Sequence, residues 1–393
     1  MMKIAAIISM WLCTMNLCAQ VIIQKGSGVI IQNGVEVVVG SDFINEDEIQ
    51  NDGTLRLTGN WENKNKNGGL IDSKGEVVLI GGNQELKGDY PMSFPSLKLS
   101  GTGIKVVSQN VRIFNLLDLS DRELSLIGRK LTLSNASESS LNRSSGFISS
   151  TEGGFFYRKL GQSGNYLYPM GANDNGQFLY RPIEINSPSN EGNTVGISFL
   201  KKDPNTAYYY RESRKDNISD VNFKFYHVID RTDGDSRMKV NYFYNNEDGY
   251  ASLAKWKDSF WENLSLNKSL DLTSPDLNKQ FIFEIDDSFK TVPIALASVK
   301  DAHNLVFYNS YSPDGDGKND TWTIGNIDGY PENEITIFNR WGGEVFKTKS
   351  FSSLNRWDGS SLNDGTYYYL LKVKIGDEYR VFKGFISLVK NQK

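Results

Sequence analysis

"EVVLIGGNQELKGDYPMSFPSLKLS" (76–100) begins and ends on a short β run, with glycine, asparagine and aspartate between them. The same pattern surrounds it. "VEVVV" (35–39) and "TLRL" (54–57) come before it, and "LLDLS" (116–120) and "KLTLS" (130–134) come after it. The first five runs recur at about twenty residues, which is the spacing of solenoid rungs and too long for the tight loops of hairpins. Gly34, Gly53 and Gly75 each stand just before a run. One rung cannot bury its own apolar face, but stacked rungs bury one another's. Residues 20–145 are therefore expected to form a β-solenoid-like stack, with a sandwich of hairpins as the competing arrangement. Trp61, in "GNWENKN", reads as an aromatic packed between rungs or at a turn.

The full chain of 393 residues is long for one domain, so two or three are expected. Its 39% hydrophobic and 23% charged content is that of a globular chain. A net charge of −4 gives no electrostatic reason to expect nucleic acid or anionic membrane as a partner. Residues 1–19 read as a signal peptide: a basic start at Met1–Lys3, an apolar run at Ile4–Leu17, and Ala19 as the small residue before cleavage. Cys13 and Cys18, the only cysteines, both lie inside it. The mature chain is then left with no disulfide, thiolate metal site or cysteine nucleophile. No later stretch approaches the length of a transmembrane helix.

Residues 146–295 have a different texture. "NFKFYHVID" (222–230), "MKVNYFYN" (238–245) and "QFIFEID" (280–286) alternate apolar and polar residues, as half-buried antiparallel strands do. "DGD" (233–235) and "EDG" (247–249) mark turns between them. A central antiparallel β-sandwich is expected. "DPNTAYYYRESRKDN" (203–217) reads as a polar loop whose tyrosines either pack at its base or meet sugar faces. Its "RESRKD" portion balances basic and acidic residues and reads as solvated.

"TVPIALASVKDAHN" (291–304) looks like a linker into a third unit, residues 296–393. That unit opens with "YSPDGDGKND" (311–320). It continues with "EITIFNRWGGEVFK" (334–347), "RWDGSSLNDGTYYYLLKVKI" (356–375) and "EYRVFKGFISLVK" (378–390). Gly342-Gly343 and Gly376-Asp377 supply hairpin turns. The spacing predicts a compact antiparallel β-sandwich of immunoglobulin-like size.

In their order, these motifs resemble the gliding-motility-associated C-terminal domain family of Bacteroidota, the type B targeting domains of the type IX secretion system. The residues carrying the likeness are Pro313, Gly315 and Gly317 in the first motif and Asn339, Arg340, Trp341 and Gly342 in the second. Trp357, Asp358 and Gly359 follow, then Gly365, Thr366 and Tyr367, and finally Lys383 and Gly384. The family usually has Asn where this chain has Asp314, and the chain runs on as "KNQK" past the last strand. The resemblance implies a route: across the inner membrane by the signal peptide, then from the periplasm across the outer membrane by the type IX translocon. It also implies release or surface retention, often with a small outer-membrane barrel protein. A face around Arg340 and Trp341 is a candidate for the surface the machinery reads.

Asp314, Asp316, Asn319 and Asp320 place hard oxygen donors at short spacing, so they are candidate calcium ligands. Counted from Asp314, an EF-hand would need Gly and Glu where Asn319 and Gly325 stand, so that loop type is excluded. The other reading is an Asx/Gly turn whose carboxylates cap backbone N–H groups. Only His227 and His303 are available as general bases, and neither sits in a catalytic motif. Carboxylates adjacent on a strand, such as Asp286 and Asp287, point to opposite faces and make poor acid/base pairs. The expectation is a secreted or surface-exposed, non-catalytic protein that binds a surface glycan or protein. It needs no cofactor unless calcium is one. The alternative is a secreted carbohydrate-active enzyme with its site in the solenoid or sandwich.

Overall fold

The computed structural model describes residues 20–390 apart from 71, 175, 189–191, 216–217, 265–269, 274–276, 287–288, 300–304 and 376–377. The leader at 1–19, Asp287, His303 and the turn at Gly376-Asp377 lie outside the described residues. Those described form strands, short 3-10 turns and loops, and no helix among them is long and apolar enough to cross a membrane. The chain divides into two compact units. One holds the residues up to Tyr210 with Asn222–Tyr250 and Ser269–Ala295; the other holds Arg211–Val221, Ala251–Lys268 and Leu296–Lys393.

The first unit begins as a β-solenoid. One parallel ladder stacks Glu36–Val39, Thr54–Leu57, Glu76–Leu79 and the later halves of Met92–Leu99 and Val111–Asp118. Val37 stands on Leu55, Leu55 on Val77, Val77 on Leu97 and Leu97 on Leu117, so one apolar column runs up the interior. These are the five runs that recur in the sequence. Lys130–Leu133 does not extend the column. It lies on Val111 to Ile113, and Leu141 takes the next place above Leu117.

A second parallel ladder runs through Val21–Ile23, Phe43–Asn45, Trp61–Asn63, Gln84–Gly88, Lys105–Val107, Glu123–Leu126, Phe147–Ser149 and Met170–Asp174. A third face begins with Val29–Ile31 on Ile49–Asn51. Trp61 is fully buried on the second ladder. Its ring lies 4.8 Å from that of Phe43 one rung away and edge-on to Phe94 at 5.1 Å.

Of the glycines before the runs, Gly34 stands clear, but Gly53 and Gly75 sit at corners where rungs touch. A Cβ on Gly75 would lie 2.1 Å from the Gly53 carbonyl oxygen, and one on Gly53 would lie 2.2 Å from that of Val35. No side chain fits there without moving backbone. Gly75→Val is expected to destabilise the solenoid by about 1–3 kcal/mol or more through overpacking. Thermal melts of the two proteins check this, and an unchanged midpoint would contradict it.

The solenoid sheet does not stop at the last rung. Phe155–Leu160 pairs in parallel with Lys130–Leu133 on one side and antiparallel with Asn193–Leu200 on the other. Tyr226–Asp233 and then residues 291–294 continue the antiparallel part. A separate antiparallel sheet faces it, built from Gly164–Tyr168, Ile183–Ser187, Met238–Tyr244, Lys279–Ile285 and Leu270–Asp271. The layers meet through side chains. The Tyr168 hydroxyl donates to the Val195 carbonyl at 2.9 Å, and the Phe156 and Tyr168 rings are 5.6 Å apart. The central sandwich therefore shares one of its sheets with the solenoid.

In the second unit, Ile218–Val221 pairs with residues 297–299, and Ser252–Lys257 forms a hairpin with Phe260–Asn263. The C-terminal part carries a five-stranded sheet in the order Ser310–Tyr311, Glu378–Leu388, Gly365–Ile375, Asn333–Phe338, Glu344–Lys349. Only the first pairing is parallel. The second layer of this sandwich is thin: Val306–Phe307 on Ile324–Gly325, and a bridge between Trp322 and Trp357. The Gly-, Asn-, Asp- and Ser-rich stretches 312–321 and 352–364 make turns in place of strands.

Candidate functional site

The motif residues of the last ninety positions converge on this C-terminal sheet. Along Gly365–Ile375, Tyr367, Tyr369, Leu371 and Val373 point inward and are buried. The loop layer closes over them. Trp322 and Trp357 exchange backbone hydrogen bonds at 2.7 and 3.3 Å, and the Trp322 indole donates to the Tyr308 carbonyl at 2.6 Å. The Trp357 ring lies 5.4 Å from both Tyr311 and Tyr367.

Several motif glycines are explained by this packing. Gly359 adopts φ of 55°, and a Cβ there would stand 2.0 Å from the Tyr311 hydroxyl oxygen, which itself donates to the Asp358 carbonyl at 3.0 Å. Gly384 lies opposite Tyr369 in register, and the Tyr369 ring covers the place where its Cβ would be. Thr366 faces Ser387 across the strands, and the Tyr367 hydroxyl donates to the Asn363 carbonyl at 2.8 Å. Gly342 sits at φ of 78°, as its hairpin requires.

In the opening motif, Asp314, Asp316 and Asp320 come together, each with a carboxylate oxygen within 4.8 Å of the others. Asn319 takes a left-handed φ of 56°, and its carbonyl accepts from Ser312 N at 2.9 Å. The carboxylates are turned onto the loop's own backbone. Asp320 accepts from Gly315 N at 2.6 Å and Gly317 N at 2.8 Å, and Asp316 accepts from Lys318 N at 2.7 Å. Asp314 accepts from Asp316 N at 3.2 Å. This is the geometry of an Asx turn, and the same oxygens are the donors a calcium ion would use. Gly315 and Gly317, at φ of 80° and 85°, allow the loop to fold back this tightly. Pro313 stands just before the cluster.

The second motif forms a rigid tip. The Asn339 side-chain oxygen accepts from Trp341 N at 3.0 Å and Gly343 N at 2.9 Å. Trp341 is held there 85% exposed, with the Arg340 guanidinium 6.0 Å from its ring. Lys383 is exposed on the outer side of the sheet, opposite Leu370. Among the motif residues, Trp357, Gly359, Tyr367 and Gly384 close the domain, whereas Arg340, Trp341, Lys383 and Asp358 are exposed.

Two residues outside the motifs also hold the domain. One is Trp322. The other is Asn333, whose amide donates to the carbonyls of Tyr330 and Phe351 at 2.7 and 3.0 Å while its oxygen accepts from Phe351 N at 2.8 Å. The sequence also carries a signal for the outward side chains: in "TYYYLLKVKI" the outward positions include Tyr368 and Leu370 before they turn to Lys372 and Lys374.

His227 lies elsewhere, sealed between the two sheets of the first unit. Its Nε2 bonds the Arg181 carbonyl at 2.8 Å, and its Nδ1 bonds the Tyr242 hydroxyl at 3.0 Å. Burial pushes its pKa down to about 3. Of the loop tyrosines, Tyr209 packs against Tyr226, while Tyr208 is 76% exposed.

Residues 305–388 match the family model of the CHU_C type IX secretion signal domain. No curated protein and no solved structure matches the chain. The C-terminal domain is therefore a type IX secretion signal, and it marks the chain for export to the cell surface or beyond.

Proposed function

We propose that the chain is a non-catalytic surface protein of a Bacteroidota cell. Residues 1–19 take it across the inner membrane, and residues 296–393 hand it to the type IX translocon. It is then released or retained with the help of a small outer-membrane barrel protein. The solenoid and sandwich carry the adhesive surface. The match of residues 305–388, which coincides with a domain that has its own buried core, carries this reading. A non-catalytic role is supported by His227, whose two ring nitrogens are already engaged in the core and whose lowered pKa keeps the imidazole neutral. Exposed Tyr208 and Tyr210 offer aromatic surface to a glycan or protein.

The test is export in a Bacteroidota host with and without a working type IX system. The full chain is expected outside the cell only when the system works, and a chain lacking 305–390 is expected to stay in the periplasm. Export that ignores either loss would overturn the reading. Arg340→Ala with Trp341→Ala is expected to reduce export several-fold with little change in melting temperature, because the exposed tip contributes little to the core. Undiminished export of the folded variant would remove the tip from the recognised surface.

A further inference from the structure

We propose that the outward face of the five-stranded sheet is where the export apparatus holds this domain, through a protein surface with an apolar centre and an acidic rim. The inference rests on the reading that residues 305–388 direct export.

The face is set by strand alternation. Phe338, Tyr368 and Phe385 stand side by side across three strands. One step along, Leu370 lies opposite Lys383, and the next step puts Val381 opposite Lys372. Tyr368, Leu370, Val381 and Phe385 are each between 43% and 58% exposed and sit in the two longest strands of the sheet. Single exposed apolar side chains need no explanation, but a contiguous group on a flat sheet marks an interaction surface.

Charge specifies the partner. Lys349, Lys372 and Lys383 lie on this face, and none forms an ion pair among the described residues. Lys347 and Lys374 also lie here, held by Glu334 at 3.1 Å and Glu332 at 2.9 Å. The domain's aspartates at 314, 316, 320, 328, 358 and 364 lie outside its five strands. Lys372 lies 4.3 Å over the Tyr379 ring, and Lys349 and Lys372 both act on the Glu334 carboxylate, yet lysines outnumber acids on the face, so a partner with carboxylates around an apolar centre would pair with this excess and cover the aromatic row. Glu334 and Glu344, set among the lysines, would repel an anionic lipid layer but can be matched residue by residue by a protein.

The experiment compares the full chain with Lys372→Glu/Lys383→Glu and with Tyr368→Ser/Phe385→Ser, in the host with a working type IX system. Purified proteins are melted to confirm folding. The charge-reversed lysines have exposed side chains, so that variant keeps the test valid if the apolar one unfolds. Both folded variants are expected to lose export by about tenfold, while Lys318→Glu, on the acidic loop, exports as the parent does. Parental export of the charge-reversed protein would overturn the proposal, as would equal loss in Lys318→Glu. Export unchanged, with variant-sensitive binding to vesicles containing phosphatidylglycerol, would also overturn it by assigning the face to lipid. A chain lacking 305–390 distinguishes the two levels: if it too is exported, the export reading itself fails.

Discussion

Asp248→Ala is expected to lower the stability of the first unit by about 3–5 kcal/mol, the usual consequence of leaving one charge of a buried pair alone. Asp248 grips the Arg181 guanidinium in a two-point contact, at 2.8 Å to Nε and 2.6 Å to Nη2. Both side chains are more than 90% buried. The same carboxylate accepts from Asn245 N at 3.0 Å, so it also closes the turn that Asn245 begins. The backbone carbonyl of Arg181 holds His227, so a shift at this pair reaches the centre of the sandwich. A denaturant titration measures the loss. Arg181→Met combined with Asp248→Leu is expected to recover much of it, since a well-packed apolar pair replaces the ions without stranding one. If Asp248→Ala melts with the parent, the pair has no structural weight.

Acid should unfold the same region through His227. Its pKa falls from 6.5 to about 3, chiefly because burial penalises the charged ring. The unfolded chain therefore binds this proton more readily than the folded one between those values. The stability from keeping the ring neutral is complete above about pH 6.5 and is lost as pH falls toward 3. At about 1.4 kcal/mol per pH unit this amounts to about 4–5 kcal/mol. The Arg181 carbonyl bonded to Nε2 raises the pKa in part, but burial outweighs it. Arg181 repels a protonated imidazole, and Asp248, the nearby carboxylate, is already committed to Arg181. Unfolding free energies measured stepwise from pH 7.5 to 3.5 should fall steeply for the parent. His227→Gln should start lower and fall less steeply. Parallel curves would show that another group controls acid unfolding.

The solenoid was legible where its strands obey the apolar-inside rule. Val37, Leu55, Val77, Leu97 and Leu117 all belong to recurring apolar runs, and they form one column. The second ladder was not legible, because its inward positions include Asn45, Asn63, Gln84 and Lys105, all buried. Asn63, Gln84 and Lys105 donate to backbone carbonyls, and Asn45 donates to the Asn63 side chain. The Lys105 amine donates to Gly81, Gly82 and Thr102 carbonyls and to the Gln84 side chain at 2.6 to 3.0 Å, and burial lowers its pKa to about 8. Strands of three to five residues with polar interiors give no periodic signal, and their partners are set by coil geometry that spacing alone does not reveal. At the candidate site the motifs located the domain, but motif membership did not separate the closing residues Trp357 and Gly359 from the projecting Trp341. Burial made that distinction. The outer row of Tyr368 and Phe385 was visible only as apolar residues at outward positions of strands that elsewhere alternate with lysine.

The unbroken hydrogen-bond ladder through Phe155–Leu160 has a mechanical consequence. A protein held at a cell surface by one end bears load, and load crosses a seam only as well as the seam is bonded. Here the parallel coil and the antiparallel sandwich share a strand, so a pull on one is borne as shear by the other. A cut near residue 145 would strip that strand of its neighbour and leave a raw edge open to aggregation. Coil and sandwich should thus be inherited, transplanted and unfolded as one piece.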